Sequence, residues 1–228
     1  MKFQVFRWVA AAVLLSLVGC GENNNNESAG KDEGSKPVVF ATNYPLAYFA
    51  EQIGGNTADV QFPEIDGDPA FWHPNDDQVT AMQGSALILT NGASYEKWAK
   101  TVSLPATKTV DTSAAFADRF IVIADATTHS HGDEGEHSHA GTAFTTWMDF
   151  DQARQQAEAV RDAMTKAMPD EADTLRANAQ TLLANIAKLH EDMQGVTSVT
   201  GDRPLVASHP VYQYFAIRPA SEDRSNGV

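Results

Sequence analysis

The chain has 228 residues, and 16 Lys and Arg against 30 Asp and Glu give it a formal net charge of −14 at pH 7. This acidic balance disfavours nucleic acid as a partner, because nucleic-acid binding needs a basic face. A single cysteine, Cys20, excludes an intramolecular disulfide and a cysteine-based zinc finger. The 43% of hydrophobic residues can form a globular core, whereas seven histidines, four of them within eleven residues, are unusual.

The first twenty residues predict an export signal. Two basic residues precede an apolar run at 8–18, which is too short to span a bilayer because a spanning helix needs about 20 residues. The run leads into the tetrapeptide LVGC, which resembles the signal of bacterial lipoproteins, in which the cysteine is lipidated. An ordinary signal peptide with a chance cysteine is the alternative. We expect residues 1–19 to be removed, Cys20 to carry lipid, and residues 20–36 to form a flexible polar tether.

After the tether, short apolar runs alternate with helical patterns. Strands are predicted at 37–41, 58–62, 86–90, 107–110 and 120–124. Helices are predicted at 46–53, from a cap within the PNDD sequence at 74–77 to Met82, and at 95–102. Alternating strands and helices indicate βα units with a mostly parallel sheet, so the predicted fold class is α/β. Residues 125–146 are predicted to form a loop.

The next part of the chain predicts a long helical region. A first helix, capped by Asp149 or Asp151, ends before Pro169, and a second covers 170–194 with Gly195 as its stop. The second helix carries a narrow apolar stripe, formed by Leu175, Ala179, Leu182, Ile186, Leu189 and Met193. Such a helix lies across a domain or joins two lobes. A strand at 204–207 and the start of a helix at 211–217 follow it.

Four histidines in the sequence HSHGDEGEHSH are candidate metal ligands, namely His129, His131, His137 and His139. Neutral imidazole binds zinc, copper and nickel, and the carboxylates between the histidines can complete a coordination sphere. A solvated polar loop is the alternative interpretation. Ordering a flexible segment lowers its affinity, so we expect this loop to collect or sense metal and the tight site to lie elsewhere.

Two further histidines are candidate ligands at the edge of the predicted sheet. His73 lies in DPAFWHPNDD before a helix, and His209 lies between an apolar strand and a helix. Ligands of α/β sheets bind beyond the carboxyl ends of strands, and both positions fit that rule. A hydrogen-bonded structural histidine is the alternative for each. His190, beside the apolar stripe, is expected to be a surface or boundary residue. The sequence contains no HExxH, GxSxG or Walker motif, so an enzyme is not predicted.

Together these motifs resemble the zinc/manganese class of solute-binding proteins of bacterial ABC transporters, the zinc-uptake binding lipoproteins in particular. The resemblance extends from about Val38 to Ala216. It rests on NYPL at the first helix, ALILTNG at a central strand, the acidic His-rich loop before TAFTTWMD, and SHPVYQYFA. It implies two βα lobes joined by a rigid long helix. It also implies that metal is held in the cleft by loop histidines and one acid of the C-terminal lobe.

The resemblance assigns the ligand positions one by one. His209 falls on the third-ligand position. The first position holds Ala70, or Asp68 if the gap is moved, and His73 is a substitute close by. The second position holds Thr145, so a histidine of the His-rich loop is expected to replace that ligand. The fourth, acidic ligand falls in a part of the C-terminal lobe that this sequence does not contain.

The resemblance also sets the expected domains and function. The domains are a signal peptide at 1–19, a tether at 20–36, an N-terminal βα lobe at 37–147 with a His-rich loop at 127–141, a linking helical region at 148–195, and the start of a truncated C-terminal lobe at 196–228. We expect a monomeric, lipid-anchored, extracytoplasmic receptor that captures Zn²⁺ and delivers it to an ABC permease and its ATPase. A metal-buffering or adhesin-like surface lipoprotein without a transport role is the alternative. Zn²⁺ is favoured over Mn²⁺ because the candidate ligands are imidazoles, and no organic cofactor is expected.

Overall fold

A parallel sheet forms the centre of the structure, a computed structural model that describes residues 35–65, 72–123, 128–130, 136–138, 141–200, 203, 206 and 211–216. Its strands are β1 (Val38–Ala41), β2 (Asp59–Gln61), β3 (Leu87–Thr90) and β4 (Thr109–Asp111). They are arranged in the order β2-β1-β3-β4, and every neighbouring pair is parallel. The predicted α/β class with a parallel sheet is therefore confirmed.

The central strands are apolar because both faces of the sheet are covered. On one face, Val39 and Leu89 belong to the larger core cluster, and on the other, Phe40 and Ile88 belong to a smaller one. A strand buried on both sides has a continuous apolar sequence, as VVFA and LILT do. The sheet therefore holds its carboxyl-terminal ends in fixed positions.

The helices that pack with the sheet in the described part of the chain include α1 (Tyr44–Gly54), α2 (Asp76–Gly84), α3 (Phe150–Ala167) and α4 (Ala172–Thr200). The predicted caps are confirmed at two of them. Asn75 forms a capping box with Gln78 at the start of α2, and the Asp149 side chain accepts backbone N–H groups at the start of α3. Pro169 lies just beyond the end of α3, as predicted.

The larger core lies where α1, α3 and α4 pack against the sheet and one another. The stripe of α4 enters this core through four buried residues, Leu175, Ala179, Leu182 and Ile186. Further along the same stripe Leu189 is 52% exposed, so only the first part of the helix is fixed by the core. No helix in the described part of the chain has both the length and the apolar character to cross a bilayer.

Several element predictions are wrong. The helix expected at 95–102 is a short 3-10 turn, Lys97–Lys100. Gly195 does not stop α4, which continues to Thr200; a glycine in an exposed helix interior costs only about 1 kcal/mol. The strand at 204–207 lies largely outside the described residues.

The segment expected to be a loop at 125–146 contains three short strands. These are β6 (Thr128–Ser130), β7 (Glu136–Ser138) and β8 (Gly141–Thr142), and a further strand, β5 (Val122–Ile123), precedes them. β5 pairs with β8 and β6 pairs with β7, both antiparallel. We call β6 and β7 the histidine hairpin and the β5–β8 pair its base. β5 lies within the strand predicted at 120–124. The sequence pattern missed β6, β7 and β8, because strands of two or three residues leave almost no periodic signal.

Candidate metal-binding site

Buried polar residues follow the strands at the carboxyl edge of the parallel sheet. Thr42 and Asn43 come after β1, Asn91 after β3 and Thr112 after β4, and all four are buried. Because parallel strands end at one edge, these residues meet there, where α/β folds bind their ligands. We call this set, together with Glu96 and Gln156, the strand-end network.

The Glu96 carboxylate is the charged centre of the strand-end network. It accepts hydrogen bonds from Thr42 Oγ1 at 2.5 Å, from the Asn91 backbone N–H at 2.6 Å and from the Gly92 backbone N–H at 3.1 Å. Burial raises the pKa of the Glu96 carboxyl, while these donors oppose that shift by stabilising the charged form. A buried carboxylate engaged by three donors positions the surrounding loops; it is not an open metal ligand.

Amide side chains connect the strand ends to α3. Asn91 Oδ1 accepts from Asn43 Nδ2 and from Gln156 Nε2, each at 3.1 Å. Gln156 Nε2 also lies 3.1 Å from Thr112 Oγ1, to which it donates. Asn91 Nδ2 donates to the carbonyl oxygen of Phe144 at 3.0 Å, which ties in the segment after the histidine hairpin. The network therefore links β1, β3, β4 and α3 into one scaffold.

The loop after β3 is strained. Gly92, Ala93 and Ser94 have φ values of 74°, 49° and 64°, and such values are rare for residues other than glycine. A Cβ atom on Gly92 would overlap the carboxylate of Asp111 and the hydroxyl of Ser113. Glu96 holds the start of this loop through the Asn91 and Gly92 amides, so the network stabilises an unusual backbone at the candidate site.

His73 lies on the carboxyl side of the sheet, between β2 and the Asn75 cap of α2, and its side chain is exposed. The ring of the preceding residue, Trp72, meets Trp98 edge-on with the ring centroids 5.7 Å apart. That contact fixes the backbone next to His73 against the smaller core. The other residues considered for the first-ligand position, Asp68 and Ala70, lie outside the described residues.

The histidine hairpin places two histidines opposite each other. His129 of β6 is the cross-strand partner of His137 of β7. Residues directly opposite in an antiparallel pair are neighbours on the same face of the hairpin. His131, His139, His209 and Cys20 lie outside the described residues.

Thr145, which the resemblance places at the second-ligand position, has a structural hydrogen bond instead. It is 7% exposed, and its Oγ1 donates to the carbonyl oxygen of Val211 at 2.6 Å. Nearby, Tyr214 is 2% exposed, and its hydroxyl donates to the Ala143 carbonyl at 3.0 Å and accepts from the Ile121 N–H at 3.1 Å. Residues 211–216 therefore pack beside the base of the histidine hairpin.

The described residues bring the predicted ligands only partly together. Among them, no three His, Cys, Asp or Glu side chains come close enough to hold a metal ion.

His190 is half-buried on α4, as expected of a residue at the boundary of the apolar stripe. Its Nε2 lies 3.0 Å from Gln194 Nε2, and its ring meets the ring of Phe150 edge-on.

Three residues important at this edge were not predicted: Glu96, Gln156 and Tyr214. Each is a polar residue whose burial depends on distant parts of the chain, 54 residues away for the Glu96–Thr42 bond and 93 for the Tyr214–Ile121 bond. The turn dipeptide Asn91-Gly92 was the only local signal, because the loop it opens is the one that Glu96 holds.

A parallel sheet with a buried polar network at its carboxyl edge defines an α/β protein. The sequence model of the family described as zinc-uptake complex component A, periplasmic (ZnuA), matches residues 39–223. The chain belongs to this family, which confirms the resemblance seen in the motifs.

Curated relatives and solved structures agree with this assignment. The chain is 24% identical over 214 residues to the zinc-binding lipoprotein AdcA of Streptococcus pneumoniae, covering 92% of this chain and 41% of that protein. It is 26% identical over 219 residues to the manganese-binding lipoprotein MntA of Halalkalibacterium halodurans, covering 94% of this chain and 67% of that protein. The chain thus spans about two fifths of the AdcA relative's length.

Two solved structures show the same fold. A crystal structure of ZnuA superposes with a TM-score of 0.66 at 19% identity, covering 80% of this chain and 67% of that one. The Zn(II)-bound AdcA of Streptococcus pneumoniae superposes with a TM-score of 0.62 at 18% identity, covering 80% of this chain and 37% of that one. At these identities the likeness concerns the fold.

Proposed function

We propose that this chain is an extracytoplasmic receptor that captures Zn²⁺ and delivers it to an ABC permease and its ATPase for uptake. The family match over residues 39–223, to a component of a zinc-uptake complex, carries the proposal. The zinc-binding relative AdcA supports zinc as the cargo. A receptor is favoured over an enzyme because Glu96, the buried acid at the candidate edge, is engaged by three donors and is not placed to act as a general base.

For the tight site we propose His209 and His73. His73 is exposed at the carboxyl edge of the sheet, where α/β proteins bind ligands. His209 precedes Val211 by two residues in the sequence. The Val211 carbonyl accepts a hydrogen bond from Thr145, the residue to whose position the family resemblance assigns a ligand, and this contact supports His209 as a member of the same site.

For the histidine hairpin we propose a collecting role, with His129, His131, His137 and His139 as ligands. The register of His129 opposite His137 supports a pair of imidazoles that can share an ion. An additional ligand from this hairpin would compensate for Thr145, whose hydroxyl is committed to Val211. The manganese-binding relative MntA makes Mn²⁺ the natural competitor, but imidazole ligands favour Zn²⁺.

A zinc titration of the purified chain by calorimetry tests the tight site. We expect His209→Ala and His73→Ala to weaken the tightest zinc binding by at least about tenfold, because each removes a side chain that binds the metal directly. His190→Ala is the matched control, since His190 lies on α4 away from this edge and the affinity of that variant should equal that of the wild type. Equal affinities for His209→Ala and wild type, or an equal loss in His190→Ala, would overturn the assignment.

The localisation has a separate test. The relatives AdcA and MntA are named lipoproteins, which supports Cys20 as the lipid attachment site of a monomeric, membrane-anchored receptor. Cell fractionation should find the wild-type chain with the membrane and Cys20→Ser in the soluble extracytoplasmic fraction. Retention of Cys20→Ser on the membrane would contradict the anchor.

The paired histidines also favour a second candidate function, a metal buffer on the cell surface without a permease. Deleting residues 129–139 distinguishes the two functions in a zinc-uptake assay in zinc-limited cells. A receptor should lose weakly bound zinc ions but keep measurable uptake that depends on a permease. A buffer should lose most of its bound zinc, and its removal should leave the rate of uptake unchanged.

A further inference from the structure

The base of the histidine hairpin contains an unusual hydrogen-bond bridge. Ile121 and Ala143 lie opposite each other, one step beyond the register in which Val122 pairs with Thr142. The Ala143 N–H donates to the Ile121 carbonyl at 2.9 Å. In an antiparallel ladder a hydrogen-bonded pair also exchanges the reciprocal bond, from the Ile121 N–H to the Ala143 carbonyl.

Tyr214 occupies the position of that reciprocal bond. Its hydroxyl accepts from the Ile121 N–H at 3.1 Å and donates to the Ala143 carbonyl at 3.0 Å. The side chain is 2% exposed, and burial raises the pKa of the Tyr214 hydroxyl, so the proton that it donates is retained at neutral pH. A residue far along the chain therefore completes the first rung of the hairpin base.

A second bond holds the same segment three residues earlier. Thr145 Oγ1 donates to the Val211 carbonyl at 2.6 Å. Thr145 and Tyr214 thus hold residues 211–214 beside Ile121 and the residues that follow β8. We call these two side chains the clamp.

We infer that the clamp is a positioning device for metal capture, which couples the base of the histidine hairpin to the segment that directly follows His209. This inference rests on the proposed function. One end of the clamp contacts β5 and β8, which lead into β6 and β7 with their paired histidines. The other end holds residues that begin two positions after His209. Releasing the clamp frees residues 211–216 from the hairpin base without removing any candidate ligand.

The variant Tyr214→Phe tests the inference, because it removes the bridging hydroxyl and keeps the ring. Tyr212→Phe is the matched control, since Tyr212 belongs to the same segment and is 42% exposed. In the metal-free chain we expect amide hydrogen exchange at Ile121 to become at least about tenfold faster in Tyr214→Phe and to stay unchanged in Tyr212→Phe, because that N–H loses its partner. Thr145→Val, which removes the other bond, should act in the same direction.

Zinc titration supplies the functional arm of the test. Tyr214→Phe should bind the first zinc ion several-fold more weakly than wild type, with far-UV circular dichroism unchanged. Unchanged exchange at Ile121, or equal zinc affinity when both proteins bind zinc, would overturn the inference while leaving the proposed function intact. A wild-type chain that binds no zinc would overturn the proposed function itself.

Discussion

The strand-end network and the clamp are both built from buried polar side chains, but they differ in how many elements each connects. The network joins the ends of β1, β3 and β4 to α3, and Asn91 alone bonds to partners in three separate segments. The clamp joins one short segment to the hairpin base through two side chains. Loss of a network member should therefore destabilise the fold, whereas loss of a clamp member should mainly change the position of residues 211–216 relative to the hairpin base.

This contrast follows from the number of hydrogen-bond donors and acceptors that each substitution leaves without a partner. A buried donor or acceptor without a partner costs about 1–3 kcal/mol, and costs add when one group serves several partners. Glu96 serves three donors inside the fold. Tyr214 serves one donor and one acceptor at the hairpin base, where Ile121 is half-buried and water can reach the groups that lose the phenol.

The largest effect should come from Glu96→Ala. The change leaves the Thr42 hydroxyl and the Asn91 and Gly92 amides without their acceptor, so we expect a loss of about 4 kcal/mol in the free energy of unfolding. Urea denaturation measures it. Glu171→Ala, at an exposed acid in the turn before α4, is the control and should change stability by less than about 0.5 kcal/mol. Similar small losses for both variants would contradict the scaffold role of the network.

Gly92→Ala should follow, with a loss of about 3 kcal/mol, because the added methyl overlaps Asp111 and Ser113 at a positive φ. Gly195→Ala is a control of the opposite sign. That glycine lies in an exposed part of α4, and no atom lies within 4 Å of the place that a methyl group would take, so alanine should stabilise the helix by about 0.5–1 kcal/mol. Thermal unfolding distinguishes the two, and a stable Gly92→Ala would mean that the loop after β3 can relax.

The pH dependence of stability in the acid range tests whether the Glu96 carboxyl is buried. Its pKa is raised in the folded chain, so between the ordinary value of 4.5 and the raised value the folded state binds more protons than the unfolded state. The stabilisation that the protonated Glu96 carboxyl contributes is therefore fully present below pH 4.5. It is lost as the pH rises through the pKa that this carboxyl has in the folded chain. The free energy of unfolding of wild type, measured relative to Glu96→Gln, should fall as pH rises above 4.5. A constant or rising difference would show that the carboxyl is not desolvated.

The smallest effect on stability should be that of Tyr214→Phe, about 1 kcal/mol, the net value of an ordinary intramolecular hydrogen bond. Urea denaturation of Tyr214→Phe and Glu96→Ala under the same conditions compares the stability contributions of the clamp and the strand-end network. If Tyr214→Phe costs as much as Glu96→Ala, then residues 211–216 belong to the scaffold, and the distinction between network and clamp fails.

The sequence predicts the parts of this fold that depend on local patterns. The apolar runs VVFA and ALILT predict buried parallel strands, and PNDD at 74–77 and the Asp149/Asp151 pair predict helix starts, because these signals lie within a few residues of the structure they specify. The end of α4 was placed too early, since one glycine is too weak to stop a helix that is otherwise favourable.

The candidate site is less predictable because its chemistry depends on contacts across the chain. The histidines are visible as residues, but only the hairpin register pairs His129 with His137. The burial of Glu96 and the insertion of Tyr214 between Ile121 and Ala143 arise only when separate elements pack together. Thr145 shows the same limit, since its position suggests a missing ligand and its hydrogen bond reveals a structural role.

X-ray absorption spectroscopy of zinc tests whether histidines at the carboxyl edge of the sheet hold the metal. The spectrum is recorded on the chain loaded with one equivalent of Zn²⁺. Zinc–nitrogen distances of about 2.0–2.1 Å, with the outer-shell scattering of imidazole rings, are the expected result. That ring scattering should decrease in His209→Ala and remain in His190→Ala. A wild-type spectrum with oxygen neighbours alone and no imidazole scattering would contradict the account.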